Sequence, residues 1–201
     1  MGYPDFPSPK ISAKIMFSPL AWANTSFYKI NGNFVHLNTK IQRMKKILIV
    51  LVVLLILIQF FRIDKANPPV NPGMDFLTIK ETPQNTASLI RNACYDCHSN
   101  ETKYPWYSNF QPVGWFLKDH IDEGRKKLNF SLFATYEPKR QAHKLHEAAE
   151  VTENGEMPMD SYLIGHPEAQ ITDEERKILA DYFRKIETDI RISHQLPAEE
   201  E

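Results

Sequence analysis

The chain has 201 residues with a net charge of −1, 42% of them hydrophobic and 24% charged, values ordinary for one folded domain with appendages. The charge is unevenly spread: residues 1–61 carry seven Lys or Arg against the single Asp5, and residues 62–201 carry seventeen against twenty-four Asp or Glu. That acidic C-terminal part argues against a nucleic-acid binder, and the seven glycines form no phosphate-cradling loop. The two cysteines exclude a multi-disulfide scaffold and a zinc site built from four thiolates.

Residues 1–43 mix Pro4, Pro7, Pro9 and Pro19 with scattered aromatics and show neither a helical nor a strand period, so an unstructured extension is expected there. Met44-Lys45-Lys46 ahead of an apolar run has the form of an export-signal start. Met44 is therefore the expected translation start, with a genuine short cytoplasmic tail as the alternative. Ile47–Ile58 is an unbroken run of twelve aliphatic residues, followed by Gln59, Phe60 and Phe61. Fifteen residues of helix span about 22 Å, short of a ~30 Å hydrocarbon core, but flanking Lys45, Lys46 and Arg62 can snorkel. A signal anchor over residues 44–63 is expected. Lys40, Arg43, Lys45 and Lys46 before the run keep its N-terminal side in the cytoplasm, and the remainder faces the extracytoplasmic side.

The segment 64–74, with Pro68, Pro69 and Pro72, reads as a stiff linker. A folded unit is expected over 75–192, ending in an acidic tail at 193–201. Four helix starts are visible in it: Thr82-Pro83, Gln111-Pro112, Glu137-Pro138 and the capping box Thr172-Asp173-Glu174-Glu175. Leu89, Ile90 and Ala93 share a face of the first; Val113, Phe116, Leu117, His120 and Ile121 form a stripe on the second. The third carries Ala142, Leu145 and Ala149 and stops near Gly155, and the fourth carries Ile178, Leu179, Tyr182, Phe183 and Ile186. No stretch alternates as a strand does. The expected fold class is all-α.

Cys94-Tyr95-Asp96-Cys97-His98 is the Cys-x-x-Cys-His pattern of c-type haem attachment. Residues i and i+3 of one helical turn face the same way, so both sulfurs can reach the two vinyl groups of one porphyrin. The adjoining His98 is then directed under the ring as an iron ligand. Other readings are a mixed zinc site with His143 and His146, a redox dithiol, or a disulfide across one turn. The first is oddly spaced, the second lacks its βαβ context, and the third leaves the histidine unexplained. Export of the domain agrees with haem attachment.

Cys94-Tyr95-Asp96-Cys97-His98-Ser99-Asn100, Tyr104-Pro105-Trp106-Tyr107, Gln111-Pro112-Val113-Gly114-Trp115, Leu128-Asn129-Phe130-Ser131 and Gly155-Glu156-Met157-Pro158 together resemble the bacterial haem-binding domain family. The resemblance runs from about Asp75 to Lys185. It implies a cytochrome c-like helical fold around one covalently bound haem c, in a small exported or membrane-tethered protein.

A sixth iron ligand is expected from Met157, fifty-nine residues after His98, where Pro158 favours an extended strap. The turn after it should carry Met159 away from the ring. Met159, a histidine with His166 foremost, or an open position are the alternatives. His120 reads as a core histidine, or else as a contact to a haem propionate. Trp106 and Trp115, within a cluster with Tyr104 and Tyr107, are expected to wall the haem or donate to its propionates. The function expected is single-electron transfer by a membrane-anchored monohaem cytochrome, its acidic surface suited to redox partner proteins with basic patches. The alternatives are a peroxidase-like enzyme using His120 with Arg125, and a tethered haem sensor of redox state or gases.

Overall fold

The computed structural model describes residues 23–198, and their side chains from residue 39 onward. The chain divides into two compact units, Met1–Leu55 and Ile56–Glu201. The expected extension over residues 1–22 and the extreme acidic tail lie outside the described residues.

In the first unit runs most of α1, Ala23–Ile58. The expectation of an unstructured stretch up to residue 43 is therefore corrected from Ala23 onward. No proline stands between Pro19 and Pro68, so nothing stops a helix nucleated in the aliphatic run from extending backwards. The helix ends at Ile58, five residues before the expected boundary, and residues 59–61 form turns. Among the described residues no helix is long and apolar enough to cross a membrane. The aliphatic run is continuous with a cationic stretch rather than with further apolar sequence.

The second unit is all-helical, with no strand among the described residues. After a 3-10 turn at Pro72–Met74 come α2 (Phe76–Ile79), α3 (Gln84–Ala93) and α4 (Tyr95–His98). Then follow α5 (Val113–Lys127), α6 (Pro138–Glu153), α7 (Asp160–Leu163) and α8 (Asp173–Ser193). The four long helices begin within two residues of the expected prolines and of Thr172, whose capping box is formed in full. α6 ends at Glu153 with Asn154 as its C-cap, and Gly155 follows at φ +79°, the left-handed conformation that glycine adopts without strain.

α6 and α8 pack through Ala142, Leu145 and Ala149 against Leu179, Phe183, Ile186 and Ile190. The small alanines let the two helices approach closely. Phe76, Phe130, Phe133 and Phe183 complete the core, with Phe76 and Phe133 meeting edge-on at 4.9 Å between ring centres. Ile178 is the exception to the α8 stripe and is exposed.

Candidate functional site

The first variable residue of the Cys-x-x-Cys-His turn holds that turn to the core. Tyr95 is buried, stacks on Phe130 at 5.5 Å, and donates its hydroxyl to Asp75 Oδ2 at 2.9 Å. Asp75 Oδ1 meanwhile accepts from the backbone of Leu77 and Thr78, capping α2. The second variable residue, Asp96, accepts from Lys103 N at 2.9 Å and from the Tyr162 hydroxyl at 2.7 Å. With both intervening side chains committed to structure, Cys94, Cys97 and His98 are left to the cavity.

That cavity measures about 660 Å³ and is lined by Cys94, Cys97, His98, Met157, Met159 and Phe183, among others. Both cysteines are free thiols rather than a disulfide. Burial and the neighbouring Cys97 push the Cys94 thiol up to about 12; burial and Asp96 push Cys97 up to about 11. Both are neutral S–H groups at physiological pH.

His98 is held by the segment after α5. Its Nδ1 lies 3.0 Å from the Leu128 carbonyl oxygen, which only accepts, so Nδ1 carries the proton and Nε2 has a lone pair for a metal. Burial lowers the pKa of the ring, against the Leu128 and Gly124 carbonyls that raise it, and keeps it neutral. The same segment clamps the end of the turn: Asn100 N donates to Ser131 Oγ at 3.0 Å, and Asn129 Nδ2 to Asn100 Oδ1 at 2.9 Å. α5 crosses the turn at Gly124, where a Cβ would stand 2.7 Å from the Cys97 carbonyl oxygen. Neither Leu128 nor Gly124 was singled out as a site residue from sequence. A lone glycine inside a helical pattern is the signal that marks such a close approach.

Met157 sits on a strap fixed by Arg176 of α8, whose Nη1 donates to the carbonyls of Thr152 (2.7 Å) and Met157 (2.9 Å). Met159, expected to turn away, lines the cavity as well. Pro158 between them is buried, so the strap lies against the domain at both methionines and the turn begins only after Met159.

The tryptophans are a further correction. Neither Trp106 nor Trp115 lines the cavity. Trp106 is 75% exposed and meets Tyr107 and Phe110 edge-on, while the Trp115 indole donates to the Phe61 carbonyl at 2.8 Å. They stand with the N-terminal end of α5, whereas the cavity lies along its C-terminal half. Tyr162, Phe130 and Phe183 supply aromatic wall instead.

Among the histidines, His120 lines the cavity half-exposed, so it is not a core residue; its Nδ1 faces the Phe116 carbonyl at 2.8 Å. His166 is buried outside the cavity with both nitrogens engaged, Nε2 by the Tyr107 hydroxyl (2.9 Å) and Nδ1 by Glu168 (3.1 Å). His143 and His146 pair with carboxylates of α6 and α8, away from the cysteines. No group of three or more His, Cys, Asp or Glu among the described residues is arranged to hold a metal ion, so the mixed zinc site is not formed. Arg125, the peroxidase-like partner of His120, donates instead to Ser99 O, Asn67 Oδ1 and Thr102 Oγ1 and does not line the cavity.

The donor set fits a haem: two paired thiols for vinyl groups, a neutral imidazole with a free Nε2, two thioethers, and an apolar interior. Lys127 and Lys144 stand among the carboxylates that also line the cavity, a complement to propionates. A helical domain that closes such a cavity around a Cys-x-x-Cys-His turn belongs to the haem-binding proteins. The family model described as Haem-binding domain matches residues 53–185, and the chain is a member of that family. No curated protein and no solved structure matches it.

Proposed function

We propose that the protein is a membrane-anchored monohaem c-type cytochrome that passes single electrons on the extracytoplasmic side of the cytoplasmic membrane. One observation carries the reading: Cys94, Cys97 and His98 line a single cavity together with Met157 and Met159. The Cys94 and Cys97 thiols would hold the haem covalently, each S–H adding across one vinyl group to give a thioether with no external oxidant. His98 Nε2 would bind the iron, with the ring oriented by Nδ1–H on the Leu128 carbonyl. The Met157 thioether would hold the iron from the strap. Bound haem would supply the one-electron couple, and the chain would supply His98, a thioether that raises the potential and a largely apolar pocket.

Membrane attachment rests on Ile47–Ile58, which is exposed from Ile47 to Leu57 and flanked by cations. Arg125 donates to Ser99 O, Asn67 Oδ1 and Thr102 Oγ1 rather than into the cavity, which favours the electron carrier over the peroxidase-like reading. The test is an optical spectrum of the purified holoprotein with and without cyanide and carbon monoxide. Six-coordinate low-spin iron that resists both ligands is expected. High-spin iron that binds carbon monoxide at once contradicts the electron-carrier assignment and favours an enzyme or a sensor.

A further inference from the structure

The second unit carries a cluster of large apolar side chains that the haem site does not use. Trp106 (75% exposed), Phe110 (56%), Val113 and Phe116 (57%) stand on the 3-10 turn Trp106–Asn109 and the first turn of α5, which pack together. Phe60 (79%) and Phe61 (68%) belong to the same cluster, because the backbone that carries them is bonded to it. Gln59 Nε2 donates to the Gln111 carbonyl at 3.0 Å, Gln111 N donates back to Gln59 Oε1 at 2.8 Å, and the Trp115 indole donates to Phe61 O. Soluble surfaces seldom gather so many exposed aromatic residues unless something covers them.

Resting on the membrane reading above, we infer that this cluster is a bilayer-docking surface, seated in the headgroup and acyl boundary. Its position in the chain selects the occupant. The cluster begins two residues after Ile58, so wherever Ile47–Ile58 enters a bilayer, Phe60 and Phe61 stand at its boundary and the residues bonded to them stand beside them. Its composition of Trp and Phe is that of an interfacial belt. Arg62 and Lys65, the latter bonded to Asn109 at 2.6 Å, add positive charge beside it, against the one carboxylate of Asp64. Ile47–Ile58 is short for a span, and a second, interfacial contact supplements a single weak anchor. The cavity lies along the other half of α5. The lining of the cavity on α5 begins at Asp119 and His120, so the docked domain holds its haem pocket close to the membrane-facing turn, about 5 Å along the helix from Phe116 at its nearest.

The test uses the full chain in vesicles of phosphatidylcholine and phosphatidylglycerol that contain a photoactivatable phosphatidylcholine. Trypsin then releases Ile47–Arg62, Tyr104–Lys118 and, as a control bearing the exposed Ile178, Ile178–Arg184. Lipid label is expected on the first two and not on the control. Replacing Trp106, Phe110 and Phe116 together by Ser should abolish label on Tyr104–Lys118 and leave it on Ile47–Arg62. Label confined to Ile47–Arg62 in the wild type overturns the docking surface while the anchor stands. A chain that does not float with the vesicles and takes no label overturns both. Protection of Tyr104–Lys118 from aqueous hydroxyl radicals without lipid label assigns the surface to a protein partner and overturns the bilayer.

Discussion

Met157 and Met159 line one cavity two residues apart, so their roles separate by spectroscopy and not by burial. Loss of an iron–sulfur bond has a large local signature, because that bond raises the reduction potential and closes the iron to other ligands. Met157→Ala is expected to abolish the weak sulfur-to-ferric-iron charge-transfer band and to open the iron to cyanide. Met159→Ala should keep the band and cost less than the ~2–5 kcal/mol lost with a fully buried methionine, because Met159 is only half-buried. The reverse result moves the ligand by two residues. If neither variant alters the spectrum, His120 is the other imidazole besides His98 that lines the cavity.

A second prediction at this scale concerns Gly124. Alanine in a helix interior normally gains about 1 kcal/mol over glycine. Here its Cβ would stand 2.7 Å from the Cys97 carbonyl, and backbone forced apart in a packed site costs about 1–3 kcal/mol. The clash outweighs the propensity, so Gly124→Ala should lower the melting temperature of the holoprotein. A rise would show that α5 does not press on the motif. Cys94, Cys97 and His98 stand out in the sequence because of their spacing alone, and the structure brings all three to one cavity. Trp106 and Trp115 were misread because nearness in sequence to the motif was taken for nearness in space, while α5 carries the chain about 22 Å along its axis.

At the scale of elements, the helix starts were legible because proline and Thr-x-x-Glu act locally, within one turn. The short pieces were not: α2, α4 and α7 have four residues each, too few for a period to show. What holds the methionine strap also escaped, since Arg176 reaches it across nineteen residues of sequence. Hydrogen bonds from a charged donor contribute about 1.5–3 kcal/mol. Arg176→Met should therefore leave the helices intact and let the strap detach more often. The rate of cyanide binding to the ferric protein is expected to rise about tenfold, the equivalent of about 1.4 kcal/mol. An unchanged rate with normal circular dichroism would mean that Pro158 and the cavity wall alone hold Met157 in place.

For the whole molecule, the all-helical class followed from periodicity, and the family from separated motifs that the fold joins. Leu128-Asn129-Phe130-Ser131 illustrates the second point. Its carbonyl orients His98, its amide bonds Asn100, its ring lines the cavity and its hydroxyl accepts from Asn100 N. The extent of α1 was not legible, because helix propagation from an aliphatic nucleus overrides the weak local pattern before it. The central claim is that Cys94 and Cys97 bind the haem covalently. Denaturing intact-mass measurement of the natively expressed holoprotein tests it most directly. The account predicts a chain heavier than its sequence by one haem, and loss of that increment when both cysteines are replaced by alanine. A wild-type chain at its sequence mass, with the haem released as a separate species, would contradict it.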